Sequence, residues 1–240
     1  MQRFALFDID GTVIRWQLFH SVVNELIRRG QLSESASRDI KQARMTWKKR
    51  ENEDSFKAYE QVLVNAYLEA LDGLSVLQYM GAVESVFEEY KDQTYIYTRD
   101  LIRDLKDKGY ALFAVSGSQQ EIVSKFAEYY GFDDAIGAHL EQLDGHFTGK
   151  IETPALGKQS AVEKLLARHD VILDGSIAVG DSESDLALFE AVEQPIVFNP
   201  SAGLFTIAKE RGWSIVLERK NVIYELSAVQ GQANGSYVLA

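Results

Sequence analysis

The 240-residue chain reads as an α/β protein in which an all-helical insertion interrupts a β/α frame directly after the first strand. Three observations predict this. The apolar run FALF ends on DIDGT near the start of the chain, a strand giving way to a turn. Residues 17–92 then carry helical periods and no convincing strand. From about residue 94 onward, helical and strand-like segments alternate.

Taken in order, FALF predicts the first strand, with Asp8 and Asp10 two residues apart just beyond it. Alternate positions of a strand share a side, so this spacing brings two carboxylates together. The insertion shows the series Leu18, Phe19, Val22, Val23, Leu26, Ile27. A second series runs Phe56, Tyr59, Val62, Leu63, Ala66, Tyr67, Leu71, with Asp54 as N-cap and Gly73 just past the end. A helix from Thr98 to Lys108, stopped by Gly109, leads to the strand YALFAV and the helix QQEIVSKFAEYY. Polar-apolar alternation around Asp144-Gly145 predicts a hairpin over AHLEQLDGHFTGKI. Helix, strand and helix resume through SIAVGDSESDLALFEAV, and PIVF and WSIVL supply further strands. The closing stretch VQGQANGSYVLA lacks periodicity and is expected to fray.

Composition narrows the function classes. With 46% hydrophobic and 25% charged residues, the chain matches ordinary globular proteins of a size that buries roughly 70% of its unfolded surface. No apolar run approaches the ~20 residues of a membrane span, and Met1-Gln2-Arg3 leads straight into strand-like sequence instead of a cleavable signal. A cytoplasmic protein with no membrane partner is expected. The absence of cysteine excludes disulfides and thiolate metal sites, and the four histidines lack ligand spacing. A formal net charge of −11 argues against a nucleic-acid partner, whose phosphates demand cations.

Three polar clusters fall at strand ends, where ligands bind in open parallel sheets: DIDGT after FALF, SGS after YALFAV, and GDSESD after SIAV. Lys158 opens the helix between the last two. A calcium loop is excluded for DIDGT, because the sixth and twelfth positions, which need Gly and Glu, hold Val13 and Phe19. GDSESD fails likewise at Leu186 and Val192. Taken singly, DxDG is also compatible with a plain turn, SGS with an N-cap, and Lys158 with a solvated charge. Their order and joint placement at strand ends point instead to a phosphate-handling site.

These four motifs, with Asp8 to Thr12, Ser116, Lys158, and Asp181 with Asp185 in sequence, resemble the haloacid dehalogenase-like hydrolases. The resemblance covers residues 1 to about 14 and about 94 to 217, and is strongest to the phosphoserine-phosphatase-like branch, subfamily IB. It implies a doubly wound, Rossmann-like, mostly parallel sheet with an all-helical cap inserted after the first strand. The α/β core would then be residues 1–14 and 94–240, and the cap residues 15–93.

The resemblance also implies roles. Asp8 would attack phosphorus and form an aspartyl phosphate. Asp10 would act as general acid and then general base. Mg2+ would be held by Asp8, Asp181 and the backbone carbonyl of Asp10, and would offset the repulsion between two anions. Ser116, the amide of Gly117 and the ammonium of Lys158 would hold the phosphoryl oxygens, and Asp185 would support the metal or Lys158. The expected reaction is hydrolysis of a small phosphorylated metabolite. A phosphotransferase or phosphomutase on the same scaffold is one alternative, and a phosphate-sensing binding protein another.

Specificity departs from the branch pattern. An ungapped count from the nucleophile motif places Gln17 where phosphoserine phosphatases carry an acid, and Ser184 stands where they carry asparagine. The insertion also holds RDIKQARMTWKKR, with Arg38, Lys41, Arg44, Lys48, Lys49 and Arg50. This is either a solvated helix face or a substrate-anion contact, Arg44 being the candidate, while Trp47 is open to a packing role.

Overall fold

In the computed structural model, which describes residues 2–49, 55–154, 158–228 and 237–239, the chain groups into two units. The first comprises Met1–Gln17, Glu89–Ala138 and Thr153–Ala240, and the second Leu18–Glu88 and His139–Glu152. The strands are β1 (Gln2–Phe7), β2 (Ala111–Gln119), β3 (Asp134–Leu143), β4 (His146–Glu152), β5 (Val171–Gly180), β6 (Gln194–Phe198), β7 (Ser214–Arg219), β8 (Val222–Ala228) and β9 (Tyr237–Leu239). The helices are α1 (Leu18–Arg28), α2 (Glu34–Lys49), α3 (Ser55–Leu71), α4 (Val76–Tyr90), α5 (Ile96–Asp107), α6 (Gln120–Tyr130), α7 (Gln159–Arg168), α8 (Leu186–Glu190) and α9 (Ala202–Arg211).

In the first unit the sheet runs β3-β2-β1-β5-β6-β7-β8-β9. Strands up to β7 are parallel, and β8 and β9 extend the edge antiparallel. β1 lies inside the sheet and is covered on both faces, which is why FALF is apolar at every position. Phe4 and Leu6 point to one face, where Phe113, Val115, Leu165, Phe189 and Leu204 form a buried cluster with α7, α8 and α9. Phe7 points to the other and meets Phe132, just past α6, edge-on at 5.6 Å. Successive crossovers leave β1 in opposite directions, so the switch point of the sheet falls at the carboxyl ends of β1 and β5. Register levels these ends, since Phe7 pairs with Ala114 of β2 and with Val179 of β5.

The strands and helices expected between residues 94 and 219 are observed, with two differences. β2 continues through Ser116, Gly117 and Ser118 to Gln119, because Gln119 pairs with Ala138 after a break in register. α9 was not anticipated from the sequence; it is capped by Ser201, whose hydroxyl accepts from the Leu204 amide, and ends on left-handed Gly212. The expectation of a frayed tail is corrected at Tyr237–Leu239, which pairs with β8. The Tyr237 hydroxyl anchors this strand by sharing its one proton between the Ala208 and Trp213 carbonyls, at 2.9 and 2.7 Å. The rest of that tail, residues 229–236 and 240, lies outside the described residues, as do Arg50 and the expected N-cap Asp54.

In the second unit α1 to α4 fill the segment expected to be helical. Its core is aromatic, with Tyr59, Tyr67 and Tyr79 almost fully buried. Trp47 packs parallel on Tyr59, their ring centroids 5.4 Å apart, so it is a packing residue. The predicted hairpin forms about Asp144 and Gly145, both at positive φ, as a two-residue turn of matching twist requires. Sequence reading placed this hairpin within 94–240; the structure groups residues 139–152 with the helices. Backbone bonds account for that, with Gly73 N–H donating to Phe147 O, Phe147 N–H to Leu74 O and Val76 N–H to Gly145 O, each at 3.0 Å. Phe147 also meets Tyr79 at 4.9 Å. Among the described residues no helix is long and apolar enough to cross a membrane.

Phe147 is 2% exposed and packs its ring against Tyr79 of α4. Phe147→Ala is expected to destabilise the second unit by about 3–5 kcal/mol, measured by urea denaturation with tyrosine and tryptophan fluorescence. A loss under about 1 kcal/mol would show that the backbone bonds alone hold the hairpin.

Candidate active site

Asp8 is the first residue beyond β1 and shares the parity of Phe4 and Leu6, so it points to the α7 face. Lys158 stands at the N-cap of α7, and the two meet. Lys158 Nζ donates to Asp8 Oδ1 at 2.5 Å, to Asp185 Oδ1 at 2.7 Å and to the Val115 carbonyl at 2.9 Å. An ammonium has three protons, and all three are used. Asp8, Lys158 and Asp185 are 4%, 2% and 0% exposed. Burial disfavours the Lys158 charge, but the Asp8 and Asp185 carboxylates outweigh it and hold the ammonium well above its ordinary range.

Asp185 ends a short 3-10 turn, Glu183–Asp185. Its Oδ2 accepts from the amides of Asp181 and Ser182, both at 3.0 Å, which wraps the chain after β5 around one carboxylate. The turn leaves no room at Gly180, where a Cβ would stand 2.7 Å from the Asp185 side chain.

The loop after β1 is equally tight. The Ile9 carbonyl accepts from the amides of Thr12, Val13 and Ile14, and Gly11 takes φ +83°, with room for a Cβ only 2.3 Å from Asp181 Oδ2. Glycine is required there for both conformation and space. The loop presents the Asp10 carboxylate to Ser116, whose hydroxyl donates to Asp10 Oδ2 at 2.6 Å and accepts from the Ser118 amide at 2.9 Å. Gly117 follows Ser116 in β2, half-buried.

The structure thus gathers Asp8, Lys158, Asp181 and Asp185, and pairs Asp10 with Ser116. Gln17 ends the first segment of the first unit and is half-buried. Arg44 belongs to α2 in the second unit, near buried His20, whose pKa burial and then the Arg44 charge push down to about 4. Lys41, Lys48 and Lys49 on the same helix are exposed. Sequence reasoning missed Val115, which completes the shell of Lys158. Every residue carries a carbonyl, so no side-chain signal could have marked it.

One oxygen each from Asp8, Asp181 and Asp185 lies within 4.8 Å of the others. Burial, then repulsion from Asp185 and Asp10, outweighs Lys158 and raises the Asp8 pKa to about 7. Burial, followed by Asp8 and Asp185, raises Asp181 to about 9. One ammonium does not compensate these carboxylates, and a buried set of hard oxygen donors with excess negative charge fits a cation such as Mg2+ or Ca2+. The close carboxylate set contains Asp185, while the Asp10 carboxylate is engaged by Ser116; the resemblance assigned Asp10 to the metal through its backbone carbonyl.

A pH signature follows from these shifts. Because the folded pKa values of Asp8 and Asp181 lie above the ordinary carboxylate value, protonation stabilises the metal-free fold. That contribution is complete below the ordinary value and is lost as pH rises through about 7 and about 9. A divalent cation held there would replace the protons, so Mg2+ is expected to raise the melting temperature more at about pH 8 than at about pH 5.5. Calorimetry showing equal shifts at both values would contradict the assignment.

The haloacid dehalogenase-like hydrolase family matches residues 5–190. The phosphoserine phosphatase SerB1 of Mycobacterium tuberculosis is 30% identical over 149 residues, covering 60% of this chain and 48% of that protein. The chain therefore spans about half the length of this mycobacterial relative. The histidinol-phosphatase of Neisseria meningitidis serogroup C is 26% identical over 231 residues, covering 90% of this chain and 99% of the other. A solved structure of a protein of unknown function from Bordetella pertussis superposes with a TM-score of 0.72 at 26% identity, over 90% of this chain and 98% of that one. A phosphoserine phosphatase solved as a phospho-aspartyl intermediate analogue shares the fold, with a TM-score of 0.61 at 24% identity over 92% and 95% of the two chains. The buried lysine between two aspartates, the strand-end motifs and the match over residues 5–190 together establish that this chain belongs to the haloacid dehalogenase-like hydrolases.

Proposed function

We propose that this protein is a Mg2+-dependent phosphatase of a small phosphorylated metabolite, working through an aspartyl phosphate on Asp8. The observation that carries this reading is the division of labour between the two loop carboxylates. Asp8 is buried against Lys158 at 2.5 Å, whereas Asp10 is half-buried and hydrogen-bonded to a hydroxyl. The α/β core of residues 1–14 and 94–240 carries the chemistry in this reading, with residues 15–93 as the helical cap domain. The names of the relatives, phosphoserine phosphatase and histidinol-phosphatase, support a small phosphomonoester as substrate.

Asp8 and Asp181, supported by Asp185 and with the Asp10 carbonyl, would hold Mg2+. When bound, the ion supplies the positive charge that lets an anionic nucleophile approach an anionic phosphoryl group. Asp8 forms the new O–P bond while the bond to the leaving oxygen breaks, and protonated Asp10 gives that oxygen its proton. Asp10, now a carboxylate, takes a proton from water as the water oxygen attacks the phosphorus of the aspartyl phosphate. Inorganic phosphate leaves, Asp8 is again a carboxylate and Asp10 is again protonated. Ser116, the Gly117 amide and Lys158 hold the phosphoryl oxygens. All three Lys158 protons are engaged in the structure, so a phosphoryl oxygen takes over the contact now made to Asp8, and Asp185 with Val115 keeps the ammonium in place.

Two tests belong to this reading. In a screen of phosphorylated metabolites with Mg2+, free phosphate is expected, and Asp8→Asn should lower kcat by at least about 10³-fold without unfolding the protein. Transfer to an acceptor without free phosphate would identify a phosphotransferase instead, and binding without turnover a sensor. The second test concerns Gln17, where an amide replaces the acid expected for a substrate ammonium. A charge-assisted hydrogen bond is worth roughly 1.5–3 kcal/mol against about 1 for a neutral one. Phosphoserine should therefore be a poor substrate, and Gln17→Glu should raise its kcat/KM more than that of a substrate without an amine. A wild-type preference for phosphoserine, or equal effects on both substrates, would remove Gln17 as the specificity residue.

A further inference from the structure

Glu218 lies near the carboxyl end of β7, two strands away from β5, and has no part in the chemistry above. Its side chain is nevertheless only 1% exposed. A buried carboxylate this far from the reacting groups needs partners, and it has them from two separate segments. Arg15 Nη2 donates to Oε1 at 2.6 Å and the Tyr97 amide donates to Oε2 at 2.9 Å. The Glu218 amide in turn donates to Asn199 Oδ1 at 2.8 Å.

Each partner leads back to a loop of the site. Arg15 follows the Asp10 loop directly, and its Nε donates to the Thr94 carbonyl at 2.7 Å while the guanidinium covers the Tyr95 ring at 5.1 Å. Around it the two segments are laced by backbone, with the Arg15 amide donating to Gln93 O at 2.9 Å and the Tyr95 amide to Val13 O at 3.1 Å. The loop itself closes through the Gly11 amide on the Ile14 carbonyl at 3.0 Å. Asn199 holds a left-handed φ of 42° just past β6, a conformation asparagine tolerates better than most residues. The Tyr95 phenol, raised by burial and then by the Asp181 charge, is held back in part by the Asn199 side chain. Two residues on, the Ser201 amide donates to the Asp181 carbonyl at 2.9 Å.

We propose that Glu218 is a positioning residue that, through Arg15 and Asn199, fixes the loops carrying Asp10 and Asp181. The role rests on the reading of those two aspartates given above. The carboxylate ties Arg15 to the Tyr97 amide, adding to the backbone bonds between segments 13–15 and 93–95, and the Glu218 backbone amide adds segment 199–201 through Asn199. β1 ends at Phe7, and the clamp takes hold of the chain at Arg15, directly beyond the Asp10 loop. A glutamine at 218 keeps the shape but offers one acceptor and one donor to two donors, so either Arg15 or the Tyr97 amide loses its bond.

The test uses the full chain, with Glu218→Gln, Arg15→Lys and their double variant beside the wild type. With p-nitrophenyl phosphate and Mg2+, each single variant is expected to lose about 10²-fold in kcat, with KM unchanged within about threefold. The double variant should be no worse than the poorer single, because both break one network. Arg15→Lys keeps a cation beside Glu218 on a half-exposed position, so it remains folded if Glu218→Gln does not. Hydrogen exchange gives a readout independent of turnover, and the peptide covering residues 9–16 should exchange faster in both variants while β6 and β2 stay protected. Faster exchange in a protein whose wild type releases no phosphate would uphold the clamp and overturn the phosphatase reading. Unchanged exchange of residues 9–16, or a folded variant with kcat within about twofold of wild type, would overturn the clamp and leave Glu218 a structural ion pair.

Discussion

Lys158 is the charge on which the site depends. It is 2% exposed, and burying an ammonium is tolerated only where anions and carbonyls replace its water. Asp8, Asp185 and Val115 do so from three different parts of the chain. Removing one partner from such a pair typically costs about 3–5 kcal/mol, so the lysine and the sheet register that surrounds it specify each other. Because Phe7 is level with Ala114 and Val179, the next residues along β1 and β2, Asp8 and Val115, are the ones that meet Lys158 at the start of α7.

The ion pair does not neutralise its surroundings. Burial raises both Asp8 and Asp181, with Asp185 and Asp10 adding to the first and Asp8 and Asp185 to the second, and tight turns hold them. Gly11 and Gly180 show how little space remains, with a Cβ at either position 2.3 or 2.7 Å from an aspartate side chain. A fold that keeps carboxylates this close gains nothing in stability from them. In the proposed mechanism the repulsion becomes useful when a cation and a phosphoryl group arrive together, one attracted by the carboxylates and the other by the lysine, serine and amides.

Much of this was legible in the sequence because the decisive residues sit in short local patterns. DIDGT after FALF and GDSESD after SIAV are strand ends marked by their own neighbours, and register does the rest. The Asp144-Gly145 turn was equally plain, since two adjacent positive φ angles demand such residues. What stayed hidden was nonlocal. The hairpin joins the helical unit through backbone bonds to residues 73–76, which leave no mark on side-chain periodicity. β8 has little burial on either face, so its alternation carries no signal, and β9 holds three residues anchored by the single hydroxyl of Tyr237. The ion pair of Arg15 with Glu218, 203 positions apart, is invisible to any window of sequence. Gln17 and Arg44 were chosen by analogy and position, and no short pattern fixes either of them.

The central claim is that Asp8 becomes covalently phosphorylated during turnover. The most direct measurement is acid quenching of the enzyme during steady-state hydrolysis with Mg2+, followed by peptide mass spectrometry. The mechanism predicts a phosphoryl adduct on the peptide containing Asp8, removed by hydroxylamine as an acyl phosphate must be and absent in Asp8→Asn. An adduct on a different residue, or undiminished turnover by Asp8→Asn with no adduct at all, would contradict it.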